Sequence, residues 1–251
     1  MSHVLILRAP GTNCDQETAY AFRLAGAKSV EIVHINSILE TPNILNRTEI
    51  LCIPGGFSFG DDIAAGKIFA LKIKNHLADT FRQFCEADKL VLGICNGFQV
   101  LLKSGLLFAD DANGSIATLT WNHSARYTDR WVHLQTTPNN SVFLRGINTL
   151  YLPIAHAEGR FVFRENKQPP LQQLALRYDA EDNPNGSMLN VAGVGDLSGR
   201  IFGLMPHPER YVDPTQHPQW TRKIHQKIQQ HSASAPIDGL AIFQNAVSYF
   251  Q

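Results

Sequence analysis

The chain has 251 residues, and its 22 Lys plus Arg balance 22 Asp plus Glu, so formal charge is zero and no basic field invites nucleic acid. Apolar residues make up 44% of it, enough for a substantial core, yet every apolar run is far shorter than a membrane span. Four scattered cysteines (Cys14, Cys52, Cys85, Cys95) form no C-x-x-C pair, which argues against a zinc knuckle or disulfide framework and for a reducing, cytoplasmic setting. The N-terminus enters a strand pattern directly, without a signal peptide ahead of it.

His3 to Arg8 reads as a first buried strand, closed by Pro10-Gly11. Asp15 to Ala25 is a helix, with Ala19, Phe22 and Ala25 on one face and Gly26 at its end. Val30 to Ile35 and Glu49 to Pro54 are the next strands, and Cys52 within the latter is core. A glycine-rich loop with two aromatics follows, Gly55-Gly56-Phe57-Ser58-Phe59-Gly60-Asp61-Asp62. A long helical stretch then runs to about Ala87, with Leu77, Phe81, Phe84 and Cys85 on one face, so Cys85 is packing.

At Lys89–Ser104 the period changes within a few residues. Val91, Leu92 and Ile94 form a short apolar run suited to a strand buried on both faces. Past Cys95-Asn96-Gly97, residues Phe98, Leu101 and Leu102 recur at helical spacing until Gly105. Cys95 therefore sits where a strand turns sharply into a helix, flanked by Gly93 and Gly97. This is the thiol counterpart of a nucleophile elbow. Such a turn exposes the side chain at the carboxyl edge of the sheet, above a helix N-terminus that favours thiolate.

From Ala117 to Tyr178 the texture shifts to short β-like segments (ATLTW, RWVHLQT, TLYLPI, RFVF, LALRY) separated by turns, as in an antiparallel extension of the sheet. Asn183-Pro184-Asn185-Gly186-Ser187 is a concentrated turn, Arg200 to Met205 returns as a strand, and Asp238 to Phe250 closes the chain as a helix. Thr215 to Ser234 is rich in Gln and His and reads as a solvated helix or exposed excursion, placed within 213–236 of an otherwise single domain spanning 1–251. The predicted class is α/β: a flavodoxin-like open, mostly parallel sheet with helices on both faces and an antiparallel extension.

A cysteine nucleophile needs a base, and the base needs a group that fixes its tautomer. Two H-x-E pairs qualify, His156-Ala157-Glu158 and His207-Pro208-Glu209. The second is favoured because it directly follows a late strand, because Pro206 and Pro208 restrict its backbone, and because a late His after the nucleophile matches elbow-bearing hydrolases. Acyl chemistry also needs oxyanion donors. The amide of Asn96 is one, and Gly56 or Phe57 on the neighbouring glycine loop is the second. Gln99, one helical turn beyond Cys95, is placed to position a substrate amide.

Together, G-I-C-N-G-F-Q, the P-G-G-F loop and the late H-P-E resemble triad-type glutamine amidotransferases. More narrowly the chain resembles the glutaminase subunits of phosphoribosylformylglycinamidine synthases. That match rests on Pro10-Gly11-Thr12-Asn13-Cys14-Asp15, Pro54–Asp61, Trp121-Asn122-His123-Ser124 with Arg130-Trp131-Val132, Pro153–Phe161 and Asn183–Ser187. Three features depart from it: Asp62 precedes the small residues where an arginine is usual, Ala157 replaces a common glycine, and the tail beyond Pro214 has no counterpart.

The resemblance implies that Cys95 attacks the side-chain amide of L-glutamine, that His207 protonates the departing ammonia, and that Glu209 orients His207. It implies an ATP-binding synthase subunit as partner, with a small accessory subunit, and transfer of ammonia to formylglycinamide ribonucleotide in purine biosynthesis. ATP and Mg²⁺ would be used by that partner, with no metal or organic cofactor in this chain. It also assigns the His156 segment to the ammonia exit or the partner surface. The rival readings are an amidotransferase serving another acceptor, a non-catalytic regulatory subunit, and a cysteine hydrolase acting alone.

Overall fold

The computed structural model describes residues 2–222 and 237–251. Its first half alternates strands and helices: β1 (His3–Arg8), α1 (Asp15–Leu24), β2 (Ser29–His34), α2 (Ile35–Glu40), β3 (Ile50–Ile53), α3 (Lys67–His76), α4 (Ala78–Glu86), β4 (Leu90–Ile94) and α5 (Asn96–Lys103). The second half is mainly β: β5 (Ala117–Thr120), β6 (Thr128–Thr136), β7 (Thr149–His156), β8 (Arg160–Phe163), β9 (Leu176–Tyr178), β10 (Val191–Gly195) and β11 (Ile201–Leu204). Helix α6 (Asp238–Ser248) is the last.

One nine-stranded sheet has the order β2-β1-β3-β4-β11-β10-β9-β6-β7. Its first five strands are mutually parallel, in the flavodoxin-like order. The rest pair antiparallel and form the expected extension. Strands β3, β4 and β11 are buried at every position, as continuous apolar runs covered on both faces must be. Their register pairs Ile53 with Gly93 and Leu204 with Ile94. The three strands therefore end nearly level, and the segments after them (Gly55-Gly56, Cys95, His207) emerge along one edge.

The turn after β4 depends on glycine. A Cβ on Gly97 would lie 1.8 Å from the Ile53 carbonyl oxygen, so α5 can approach β3 only with hydrogen at that position. Helix α6 closes the other face, with Phe243 edge-on to Phe22 of α1 at 4.9 Å between ring centroids.

Several expectations are corrected. The helical stretch before Ala87 is two helices, broken at Leu77 (φ −129°, ψ 10°), whose amide still caps α3 by donating to the Ile73 carbonyl at 2.8 Å. The strand expected to include Ile35 stops at His34, whose imidazole accepts the Asn36 amide at 3.2 Å and starts α2. ATLTW and RFVF do not extend the main sheet but pair as a separate two-stranded one, β5 with β8. Strand β10 was not anticipated, since Gly193 and Gly195 dilute its apolar pattern. Within the tail, His217 is buried against Trp131 while most of its described neighbours are exposed; residues 223–236 of the predicted excursion lie outside the described residues.

Gly97→Ala is expected to cost about 3 kcal/mol or more, because backbone must move to admit the methyl group. Gly195→Ala, whose Cβ would meet its nearest atom at 3.6 Å, is expected to stay within about 1 kcal/mol of the parent. Urea unfolding midpoints compare the two.

Candidate active site

Cys95 occupies the link between β4 and α5 with φ 49° and ψ −103°, a positive-φ conformation that a non-glycine residue adopts only when its surroundings impose it. Its amide donates to the Leu204 carbonyl at 2.8 Å, and its thiol lies 3.8 Å from the Ala155 carbonyl. The strained turn and the flanking packing aim sulfur away from the core, into a cleft between the ends of β3, β4, β7 and β11.

His207 enters the cleft from the segment after β11, its amide tied to the Pro153 carbonyl at 2.8 Å. Its Nδ1 hydrogen-bonds Glu209 Oε1 at 2.6 Å, and both side chains are almost fully buried. That bond places the proton on Nδ1, so Nε2 carries the lone pair when the ring is neutral; among the described residues Nε2 has no hydrogen-bond partner of its own. Burial opposes the imidazolium, but the Glu209 carboxylate and the Cys95 sulfur outweigh it, and the His207 pKa is raised well above its ordinary value. The predicted pair is therefore the one that meets the cysteine.

Cys14 was legible only as part of a motif. Its sulfur accepts from Arg210 Nη2 at 3.3 Å and packs beside His207 and Glu209, where burial pushes the thiol up to about 11. Arg210 in turn holds Glu17 at 3.1 Å. These contacts brace the base from behind.

A cavity of about 280 Å³ opens in front of Cys95, lined in part by Gly56, Phe57, Asp61, Gln99, Trp121 and the 155–158 segment. It is large enough for an amino acid. Asn96, the first residue of α5, presents its N–H at the helix start. Of the two loop donors, Phe57 is corrected: its N–H is spent on the Gly11 carbonyl at 3.0 Å. The Gly56 N–H has no partner among the described residues, and its φ of 144° is open only to glycine. Gln99 lines the same cavity as Cys95. Its Nε2 donates to the Glu158 carbonyl at 2.6 Å and its Oε1 accepts from Asn96 Nδ2 at 2.9 Å, so it braces the cavity wall.

The His156 pair does not compete for Cys95. Its imidazole Nδ1 bonds Asn122 Oδ1 at 3.1 Å, while Glu158 Oε2 accepts the Ala65 amide at 3.2 Å, so the two side chains do not serve each other. Instead the segment forms one wall of the cavity, which sequence reasoning had placed at an exit or partner surface. Asp61, Trp121 and Glu158 were also missed as wall residues. The Gly60-Asp61 and Trp121-Asn122 motifs carried that information, but which motif faces which is a tertiary matter.

Glu209→Gln is expected to lower the His207 pKa, read by NMR titration of the imidazole. The raised folded-state value means that the pair's stabilisation is fully present below the unfolded imidazole pKa of about 6.5 and is lost as pH rises through the folded value. The stability gap between parent and Glu209→Gln should accordingly narrow toward alkaline pH.

The model of the CobB/CobQ-like glutamine amidotransferase domain matches residues 1–250. The chain is 42% identical to the phosphoribosylformylglycinamidine synthase subunit PurQ of Dehalococcoides mccartyi, over 98% of this chain and 96% of that protein. The corresponding subunit of Methanococcus maripaludis strain S2 is also 42% identical, over 98% and 97% of the two chains. The structure of PurLQS from Thermotoga maritima superposes with a TM-score of 0.74 at 29% identity, covering 100% of this chain and 99% of that one. An elbow cysteine met by a buried His–Glu pair, over a cavity of amino-acid size, is thus found in a chain that belongs to the CobB/CobQ-like glutamine amidotransferase family and groups with its PurQ members.

Proposed function

We propose that this chain is the glutaminase subunit of a phosphoribosylformylglycinamidine synthase. The observation that carries the reading is that Cys95, which lines a small, glycine-edged cavity, has the buried His207–Glu209 pair beside it.

In this reading the Cys95 sulfur attacks the side-chain amide carbon of L-glutamine. The developing oxyanion is met by the Asn96 and Gly56 N–H groups, each such donor typically worth about 2.7–4 kcal/mol of transition-state stabilisation. The C–N bond breaks as imidazolium His207 gives its Nε2 proton to the leaving nitrogen, and ammonia departs from a γ-glutamyl thioester. Neutral His207 then takes a proton from water, which attacks the thioester carbon; the C–S bond breaks and glutamate leaves with the sulfur restored. Glu209 stays ionised throughout, holding the Nδ1–H and the charge it supports.

Only unprotonated ammonia is a nucleophile, so the subunit's product must be delivered before it equilibrates with bulk water. The PurQ relatives support a synthase partner that uses ammonia to convert formylglycinamide ribonucleotide to formylglycinamidine ribonucleotide. ATP and Mg²⁺ belong to that partner in this reading, and no cofactor is assigned to this chain. The likeness to PurLQS supports a multi-subunit assembly, and a small accessory subunit is a further part of this proposal. No helix among the described residues is long and apolar enough to cross a membrane.

Cys95→Ala is expected to abolish glutamine hydrolysis by roughly 10⁴-fold or more with its unfolding midpoint little changed. A diazo-ketone glutamine analogue should label the Cys95 peptide and no other; labelling elsewhere, or retained turnover, would exclude this nucleophile. Glutaminase activity should also rise when the synthase subunit and its nucleotide ligands are added, because idle hydrolysis wastes glutamine. Full activity of the isolated chain would argue against a gated complex.

A further inference from the structure

The geometry points to His156 Nε2 as the acceptor that holds the ammonia released at Cys95. The inference rests on the glutaminase reading above and adds a residue that takes no part in thioester chemistry.

The tautomer of His156 is fixed by its neighbours. Asn122 Nδ2 donates to the Arg126 carbonyl at 2.9 Å and to the His156 carbonyl at 2.8 Å, so the amide cannot be turned round without setting oxygen against oxygen. Asn122 Oδ1 therefore faces the Gly159 amide at 3.1 Å and His156 Nδ1 at 3.1 Å, and the latter must carry the proton. Nε2 is left as a bare lone pair. It is buried, and no donor among the described residues reaches it. The ring cannot swing away to find one: a Cβ on Gly159 would lie 2.2 to 2.6 Å from its Cε1, Nδ1 and Nε2, so the chain clamps it closely.

Several other acceptors in this wall already have donors, although each carboxylate keeps its second oxygen. Glu158 Oε2 takes the Ala65 amide, the Glu158 carbonyl takes Gln99, and Asp61 Oδ1 takes Gly66 and Asn96. An unpaired buried acceptor is destabilising unless a ligand donor completes it. His156 lines the same cavity as Cys95, one residue along from the Ala155 carbonyl that contacts the Cys95 thiol. What the reaction sets free there is a molecule with three N–H donors.

Chemistry favours this acceptor over a carboxylate or a basic imidazole. Burial, and then the charge of nearby His207, press the His156 pKa down to about 3, so the ring accepts a hydrogen bond without surrendering or receiving a proton near neutrality. Ammonia held in this way stays NH₃. The proton that His207 gave to the leaving nitrogen remains with it, and no further proton is transferred.

The test uses the assembled complex with its synthase partner and reads two products, glutamate and amidated ribonucleotide. His156→Asn keeps a donor at the Nδ1 position for Asn122 but lacks the Nε2 acceptor; His156→Gln supplies an acceptor near Nε2. The Asn variant is expected to form about three or more glutamates per amidated product where the parent forms about one, with synthesis from added ammonium chloride unchanged. The Gln variant should return toward one. A one-to-one ratio in the Asn variant would overturn the assignment. So would a parallel fall in both products in both variants, which would make His156 part of the wall alone. Failure of the underlying glutaminase reading is seen separately, as a parent complex whose ribonucleotide product does not depend on glutamine and Cys95.

Discussion

The constraint on which this molecule depends is the approach of Gly97 to the carbonyl of Ile53. With only hydrogen at that position α5 packs directly against β3. Cys95, the single residue between β4 and α5, makes the turn at positive φ. The strain is local, and surrounding apolar strands buried at every position hold it in place. Packing of the core and exposure of the nucleophile are thus one constraint seen from two sides.

Level strand ends convert that constraint into an active-site layout. Parallel registry between β3, β4 and β11 brings a glycine loop, a cysteine and a histidine to one edge without any of them being close in sequence. Parallel strands require crossovers, so neighbours at the edge are necessarily remote in the chain. The antiparallel extension then brings β7 alongside, and its end supplies the Ala155 carbonyl and the His156 wall.

Two buried histidines a short distance apart have opposite electrostatics. His207 has a carboxylate at 2.6 Å and a sulfur beyond it, and its charged form is favoured despite burial. His156 has only the neutral oxygen of Asn122, and burial keeps it uncharged. The same side chain is a proton carrier in one setting and a fixed acceptor in the other. In the proposed reaction the first protonates nitrogen once to release it, and the second holds it without protonating it again.

Sequence alone determined the elements whose cause is local or periodic. The apolar run of Val91, Leu92 and Ile94, the helical spacing after Cys95, and the paired glycines mark the elbow in the sequence itself, although the surrounding strands impose its strained backbone. Pro206 and Pro208 likewise mark His207 as a restricted histidine after a strand. Tertiary structure alone decided how those pieces are used: that Phe57 spends its amide on Gly11, that Gln99 braces Glu158, and that Asn122 fixes the tautomer of His156. Each of these is a hydrogen bond, and a polar group's partner is set by the position of other chain segments, which spacing along one segment does not encode.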